Sequence, residues 1–409
     1  MTNGWRDTTI GDEVTLQRGF DITRAQQRPG SVPVVSSGGI SSVHDTAMVE
    51  GPGVVLGRKG VVGSVYYIDT NFWPHDTTLW VKDFKDNFPR FVYYFFREMA
   101  GQITGMDVGS ANPTLNRNHV HPIEVRWPSL PQQRAIAGVL GALDDKIEQN
   151  RRTAQALERL ARAIFRAWFA GFEPVKAKAA GATAFPSVPQ HVFDALPTTL
   201  ADSDIGPVPE GWEVKAIGDV VTVKGGGTPS TKNAEYWDGG EHCWATPKDM
   251  SRLSHPVLLD TERHITDTGV SGISSGMLPA GTVLMSSRAP VGYLAIAGVA
   301  TAINQGFIAM VCDGPLPPIY VLNWAAISIE TIKAHASGTT FAEISKKNFR
   351  PLPVILPTAD VIAAYQHVAD PLFELLTACV KESEQLAAMR DYLLPKLLSG
   401  EVRVEGAHG

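Results

Sequence analysis

Apolar side chains recur four and three positions apart along two stretches of the chain, the heptad period of long helices that pair with one another. The spacing predicts helices over 131–170 and 358–400. Pro371 lies inside the second stretch and predicts a kink, or a short break near Asp370. The residues predicted to form the seam are Leu143, Ile147, Asn150, Leu157 and Ile164 in the first helix and Leu372, Leu376, Leu386, Leu393 and Leu397 in the second, with Arg390 as an interruption.

Asn150 is the polar member of the first predicted seam, and Cys379 holds the corresponding position in the second. A polar residue in the middle of a seam commonly fixes the register and orientation of paired helices. The alternative is that Asn150 is a tolerated polar residue at the edge of the seam. Both interpretations stay open at the level of sequence.

A second pattern precedes each predicted helix, in which short β-branched, apolar or aromatic runs are separated by turn-forming residues. It predicts two strand-rich domains, 1–130 and 211–357. The stretch 171–210, rich in Gly, Ala and Pro, is predicted to be a linker, and 401–409 a C-terminal tail. The predicted strands lie at 54–56, 61–68 and 78–81 in the first domain and at 281–284, 291–297 and 307–311 in the second, followed by short helices at 88–99 and 319–335.

The two halves of the chain repeat one another. Trp5 returns 207 positions later as Trp212, and Pro122 returns 229 positions later as Pro351. A duplicated domain-plus-helix unit predicts a pseudo-two-fold molecule in which the two helices pair antiparallel and bury both seams. The predicted fold class is therefore α+β, with two mixed, strand-rich domains separated by two long helices paired as an antiparallel coiled coil. In that arrangement the helices hold the two domains a fixed distance apart.

Composition narrows the protein class. No apolar run reaches ~18 residues, which excludes a membrane-spanning helix, and the polar segment 1–7 does not resemble a signal peptide. Three scattered cysteines indicate a reducing, cytoplasmic location without disulfides. The net charge of −6 weighs mildly against nucleic-acid binding, although an acidic protein can still carry a local basic groove.

Several motifs, in their order along the chain, resemble those of the specificity (S) subunit of type I restriction–modification systems. The resemblance covers almost the whole chain in outline. In the second helix Ala363-Ala364-Tyr365-Gln366 replaces the Gln-Gln-Arg opening of the first, which argues against equal affinity of two partner sites. The motifs are Pro131-Gln132-Gln133-Arg134-Ala135-Ile136-Ala137, Leu143-Asp144-Asp145-Lys146-Ile147, Pro209-Glu210-Gly211-Trp212 and Arg390-Asp391-Tyr392-Leu393-Leu394-Pro395-Lys396-Leu397.

The resemblance implies a non-catalytic DNA specificity subunit of a phage-defence complex that is both a site-specific deoxyribonuclease and an adenine-N6 DNA methyltransferase. It implies that each target recognition domain binds half of a bipartite sequence in double-stranded DNA. The helices would set the spacing and dock two modification (methyltransferase) subunits and, through the complex, restriction (translocase and nuclease) subunits. No cofactor is expected in this chain, whereas the partner subunits are expected to use S-adenosylmethionine, ATP and Mg.

Loop residues of both domains are the candidate DNA contacts. Arg58 with Lys59, and Arg288 in the second domain, lie in tight loops just after strands, where cations bind guanine edges or phosphates. The alternative is an ordinary surface charge. The Gly-rich stretch 224–228 either lets the backbone approach a phosphate or forms a plain flexible turn. The predicted contacts are Ser36, Ser37, Arg58, Lys59 and Asn112 in the first domain and Lys224, Thr228, Ser286, Ser287, Arg288 and Thr339 in the second.

Other chemistry is not predicted. His119 and His121 have metal-binding spacing but no third ligand nearby in the sequence. Cys243 and the adjacent His242 also lack a further ligand nearby, so no metal site is expected. No acid, base or nucleophile recurs as a matched set in both domains, which weighs against an enzyme with duplicated active sites. The remaining alternative function is a coiled-coil scaffold for a DNA-modifying complex that does not recognise sequence.

Overall fold

The computed structural model describes residues 4–105, 114–338 and 342–404. The chain forms two compact units, unit 1 (Met1–Glu148 with Glu384–Gly409) and unit 2 (Gln149–Ser383). Both long helices continue from one unit into the other, so each unit contains a part of each helix. Among the described residues no helix has the length and apolar content needed to cross a membrane.

In the first half of the chain, the described residues form nine strands and five α-helices. In chain order they are β1 (Trp5–Thr9), α1 (Ile10–Glu13), β2 (Thr15–Arg18), β3 (Val32–Ser36), β4 (Gly39–His44), β5 (Gly53–Gly57), β6 (Val65–Ile68), β7 (Trp73–Pro74), β8 (Thr78–Asp83), α2 (Pro89–Glu98), α3 (Ala100–Thr104), α4 (Arg117–Val120), β9 (Glu124–Pro128) and α5 (Leu130–Phe165).

The second half begins with a π-helical turn over Arg166–Ala170 that extends α5. The remaining elements are α6 (Glu173–Ala179), α7 (Gln190–Ala195), β10 (Leu200–Ala201), β11 (Val208–Pro209), β12 (Glu213–Ala216), α8 (Ile217–Val220), β13 (Thr222–Lys224), β14 (His242–Ala245), α9 (Pro247–Ser251), β15 (Val257–Leu258), β16 (His264–Ile265), α10 (Asp267–Ser271), β17 (Val283–Ser286), β18 (Leu294–Ala297), β19 (Thr301–Ile303), β20 (Phe307–Val311), α11 (Pro318–Ile327), α12 (Ile329–Ala334), α13 (Lys346–Phe349), β21 (Pro353–Leu356) and α14 (Ala359–Ser399).

The same sheets form in both halves. The order β2-β8-β5-β6 recurs as β13-β20-β17-β18 with β15 added at the edge, and the ladder β1-β9 recurs as β12-β21. The three-stranded sheet β4-β3-β7 recurs as β16-β14-β19, and in both the central strand pairs antiparallel on one side and parallel on the other. The predicted internal repeat and the mixed, strand-rich fold class are confirmed.

Strand β5 shows why these sheets are central to each domain. Every residue of β5 is buried, so both of its faces are covered. Val54 and Leu56 pack in the cluster that includes helix α2, whereas Val55, which points the opposite way, packs against Phe72 and Trp80. A strand covered on both faces is continuously apolar, which explains why this segment was recognisable in the sequence.

The two long helices pair antiparallel, as predicted. In unit 1 Asp144 of α5 lies beside Arg390 of α14, and in unit 2 Asn150 of α5 lies beside Glu382 of α14. The predicted break near Asp370 is wrong, because α14 is one continuous helix through Pro371. Pro371 is exposed, and buried Ala369 and Leu376 hold the turns on either side of it.

The predicted seam residues are all at least half-buried. Asn150 is 3% exposed and its amide donates to Glu382 Oε2 over 2.7 Å, a geometry that favours the register-fixing interpretation over a place at the seam edge. Asn150, Leu376 and Leu397 are fully buried, and the half-buried members are Leu143, Ile147, Leu157, Ile164, Leu372, Leu386 and Leu393.

Arg390, which interrupts the apolar period, is the centre of an ion network within unit 1. Its Nη1 lies 2.6 Å from Asp144 Oδ1, and the side chain is only 12% exposed. The other oxygen of Asp144 accepts a 2.6 Å hydrogen bond from the Tyr94 hydroxyl, so the network joins α5, α14 and α2. Burial, and then the bond to Asp144, raise the pKa of Tyr94, which keeps its hydroxyl protonated as a donor.

Arg390→Leu is expected to lower the free energy of unfolding by about 1–3 kcal/mol, because it removes the nearer cation of the partly buried Asp144 and leaves only Arg97, 3.8 Å away. Asp144→Leu together with Arg390→Leu is expected to recover part of that loss, since neither charge then remains unpaired. Chemical denaturation of both variants and of the exposed control Lys381→Leu measures the effect. A single variant as stable as the control would contradict this role of the network.

The stretch 171–210 is more than the linker that its composition indicated. It contains α6 and α7, and six of its apolar side chains are buried in the main core of unit 2. The Ala-, Gly- and Pro-rich composition hid these few anchors because most of the surrounding residues are small or polar. The anchors are Phe172, Val175, Val192, Phe193, Leu196 and Val208.

Candidate nucleic-acid interface

In unit 1 the loop that follows β5 gathers several predicted contact residues around Thr77. The backbone amides of Arg58 and Lys59 donate to the Thr77 carbonyl over 2.8 and 3.1 Å. The Ser37 amide donates to the Thr77 hydroxyl over 3.3 Å. Ser36 is the adjacent residue, and its hydroxyl donates to the Gly39 carbonyl over 3.1 Å. Four of the predicted residues therefore lie at one corner of the domain.

This corner concentrates positive charge. Arg18 Nη2 lies 2.9 Å from Asp76 Oδ2, and Arg58 Nη1 donates to the Asp76 carbonyl over 3.4 Å. Burial, followed by the nearby charge of Arg18, lowers the pKa of Arg58. Lys59 is exposed beside them. Arg18 is paired with Asp76, so Arg58 and the exposed Lys59 are the side chains of this corner suited to a phosphate or a base edge.

Backbone hydrogen bonds identify the equivalent loop in unit 2. The Ser287 amide donates to the Gly306 carbonyl over 2.8 Å, just as Arg58 donates to Thr77. Lys59 forms an isolated β-bridge with Thr114, and Arg288 forms the matching bridge with Glu343. Lys59 and Arg288 are thus the cations that occupy the same position in the two domains. The Arg288 side chain is 37% exposed, and its guanidinium lies 3.8 Å from the Glu343 carboxylate.

Two predicted contacts in unit 2 are buried. Ser286 is completely buried, and its hydroxyl donates to the Pro290 carbonyl over 2.7 Å and accepts from the amides of Gly292 and Tyr293. Ser287 is 3% exposed. A buried hydroxyl that is already saturated by the loop is poorly placed for direct contact with DNA. We therefore assign Ser286 to shaping the loop that presents Arg288.

The Gly-rich loop after β13 forms a second basic corner. Lys346 Nζ lies 3.1 Å from the point where a Cβ on Gly225 would be, so the missing side chain leaves room for this lysine. Arg350 Nη2 donates to the Val223 carbonyl over 3.1 Å. Lys224 is half-buried at the end of β13. Thr228 is exposed and its hydroxyl donates to Gln305. The loop is thus anchored and surrounded by cations.

Lys346 and Arg350 were missed by the sequence analysis. Lys346 begins the short helix α13 and Arg350 follows its last residue, just as Arg117 begins α4 and His121 follows it in the first half. In unit 1 Arg117 Nη1 donates to the Leu16 carbonyl over 3.4 Å, and His121 Nε2 accepts from the Leu16 amide over 3.0 Å. The repeat offset of 229 relates the two pairs and was the available signal. Asn112 and Thr339, also predicted contacts, lie outside the described residues.

The chain is similar to a known protein family and to several specificity subunits. The model of the type I restriction modification DNA specificity domain matches residues 3–159 and 209–380, one match in each half. The type I restriction enzyme MjaIX specificity subunit of Methanocaldococcus jannaschii is 38% identical over 165 residues, covering 40% of this chain but only 38% of that protein. The HindI specificity subunit of Haemophilus influenzae is 26% identical over 330 residues, covering 71% of each.

A solved structure has a similar fold. The crystal structure of the S subunit of a type I restriction–modification system from M. genitalium matches with a TM-score of 0.63 and covers 97% of both chains. The sequence identity is 16%, so this likeness concerns the fold. It agrees with the duplicated domains and paired helices described above.

Proposed function

Because the chain belongs to the family of type I restriction–modification DNA specificity domains, we propose that it is the non-catalytic subunit that selects the DNA target of a type I restriction–modification complex. Each strand-rich domain binds one half of a bipartite sequence in double-stranded DNA. The paired helices set the number of base pairs between the halves. Catalysis, with S-adenosylmethionine, ATP and Mg, belongs to the modification and restriction subunits.

The observation that carries the proposal is that a loop with a cationic side chain occurs at the equivalent position in both domains. Lys59 and Arg288 follow equivalent strands, and each forms a bridge to the segment just before α4 or α13. The segments that accompany them differ between the domains, since Arg58 in unit 1 corresponds to Ser287 in unit 2. A shared cation with different neighbours suits two domains that hold the same DNA backbone but recognise different bases.

The helices also supply a surface for the modification subunits in this proposal. Large apolar side chains remain exposed on both helices, and exposed apolar side chains mark a partner-binding surface where they form one contiguous patch. The restriction subunits join through the assembled complex. The exposed side chains are Leu160 (49%) and Leu375 (51%) in unit 2 and Met389 (52%) and Tyr392 (64%) in unit 1.

Lys59→Ala and Arg288→Ala are each expected to weaken recognition of one half-site and leave the other intact. A lost base contact costs about 1–3 kcal/mol and relaxes specificity at one position, whereas a lost phosphate contact weakens binding to all sequences and reduces the salt dependence. The measurement is methylation kinetics and mapped methylated adenines in the complex reconstituted with its methyltransferase partner.

Lys176→Ala is the matched control, because it removes the same charge from an exposed position on α6. If both test variants matched this control in kinetics and specificity, the two loops would not be DNA contacts. A scaffold that does not recognise sequence would instead yield methylation without any bipartite motif, and that result would overturn the proposed function itself.

A further inference from the structure

Three metal-ligand side chains of different types converge at the edge of the small sheet in unit 2. Cys243 Sγ lies 3.8 Å from His264 Nε2 and 3.6 Å from Asp260 Oδ1, and His264 Nε2 lies 2.9 Å from Asp260 Oδ1. All three ligand atoms are within 4.8 Å of one another. Asp260 and His264 are four residues apart, and Cys243, which lies 17 residues before Asp260, is brought to them by strand pairing.

The backbone holds these side chains in place. Cys243 of β14 is directly opposite His264 of β16. The next pair is joined by the bond from the Trp244 amide to the Arg263 carbonyl, so Cys243 and His264 form a non-hydrogen-bonded pair, in which opposite side chains approach most closely. The Asp260 carboxylate is oriented by the Thr261 amide over 2.8 Å.

The arrangement is unsuited to nucleophilic catalysis. A Cys-His-Asp relay needs the thiol on one imidazole nitrogen and the carboxylate on the other, so that a proton can be passed along. Here the same nitrogen, Nε2 of His264, faces both Cys243 and Asp260. Three donor atoms that face one common point are instead the geometry of metal coordination.

The separations agree with a tetrahedral ion. Zinc bond lengths of ~2.0–2.3 Å to nitrogen, oxygen and sulfur imply ligand-to-ligand distances of ~3.3–3.6 Å. The observed 3.8, 3.6 and 2.9 Å differ from these by a few tenths of an ångström. We propose that Cys243, Asp260 and His264 bind one zinc ion, with water as the fourth ligand. On binding, the Cys243 thiol releases its proton to solvent and ligates as the thiolate.

The ion would hold the segment 260–264 of unit 2 against strand β14. Arg263, between two of the ligands in sequence, stacks with its guanidinium 3.5 Å from the centre of the Trp237 ring and 5.6 Å from that of Trp244. Zinc joins the start of this segment, at Asp260, to strand β14 and so limits its motion. Unit 1 contains no cysteine, so the brace belongs to one domain only.

Cobalt(II) titration of the tag-free, full-length chain tests the proposal. We expect one equivalent of cobalt to produce the thiolate-to-cobalt charge-transfer absorption and the visible bands of a tetrahedral site, both abolished by one equivalent of zinc. Cys243→Ser and the isosteric Asp260→Asn are expected to weaken binding on the order of 100-fold or more, given that loss of even an outer-shell partner costs 10–100-fold. Cys312→Ser, which removes a cysteine elsewhere in the same unit, should leave the titration unchanged.

The inference is overturned if the wild-type chain gives no thiolate-to-cobalt band. It is equally overturned if the band survives Cys243→Ser or disappears in Cys312→Ser. Asp260→Asn retains a hydrogen-bond acceptor for the Thr261 amide, so its circular dichroism and melting temperature show whether it remains folded. EDTA should then lower the melting temperature of the wild type but not that of Asp260→Asn.

Discussion

Asn87→Leu is expected to lower the free energy of unfolding by about 2–5 kcal/mol, because it leaves several buried polar groups without partners. Asn87 Oδ1 accepts bonds of 2.7 Å from both Trp127 Nε1 and Gln133 Nε2. Its amide donates to the Glu13 carbonyl over 2.8 Å. Each of these partners is nearly inaccessible to water, with Trp127 0%, Gln133 2% and Glu13 3% exposed.

The second half of the chain provides a matched control for this network. At the repeat positions of Glu13, Asn87, Trp127 and Gln133 stand Val220, Leu316, Leu356 and Ile362, all apolar. Unit 2 therefore has apolar side chains at all four positions of this junction. Replacing the whole network by apolar residues should cost less than the single change, since no polar group is then stranded.

Chemical denaturation of Asn87→Leu and of the combined Glu13→Val, Asn87→Leu, Trp127→Phe and Gln133→Ile variant measures the difference. Phenylalanine is used at position 127 because it removes the indole N–H and keeps most of the ring volume. If the combined variant were less stable than Asn87→Leu, the expectation would be wrong. The hydrogen bonds of the network would then stabilise unit 1 by more than the apolar side chains that replace them.

Inserting four residues into both long helices at facing positions, after Asn150 and before Glu382, is expected to abolish methylation of the native target. The proposed rod lengthens by about 6 Å at ~1.5 Å per residue, which corresponds to one or two base pairs at ~3.4 Å each. The native half-sites then no longer fit together, and methylation should fall on the order of 100-fold or more, since each lost base pair contact costs ~1–3 kcal/mol.

Mapping methylated adenines separates a spacing effect from simple damage. The variant should methylate a new target with the same two half-sites and a gap longer by about one or two base pairs. The same four residues placed in the tail at 405–409 are the control and should leave the gap unchanged. An active variant that keeps the native gap would refute the proposal that the helices set the spacing.

The local features of this protein were predictable because they depend on neighbours in the chain. The 3.5-residue period specified both long helices, and the run of apolar residues specified β5, since a helix seam and a doubly covered strand each impose a pattern on adjacent residues. The repeat offsets then predicted two copies of one fold. The same repeat also predicted some of the candidate DNA contacts, because it relates the loop with Arg58 and Lys59 to the loop with Arg288.

Long-range contacts were decided only by the tertiary structure. Arg390 interrupts an apolar period, and its meaning depends on Asp144, which lies on the other helix. Ser286 resembles an exposed loop residue in sequence, but packing and three hydrogen bonds bury it. Asp260 and His264 are neighbours in sequence, but strand register alone places Cys243, 17 residues before Asp260, opposite His264. Periodicity reports which face of an element is buried, but it carries no information on which distant side chain lies opposite that face. Charge pairs, basic corners and the proposed metal ligands all depend on which distant side chains meet.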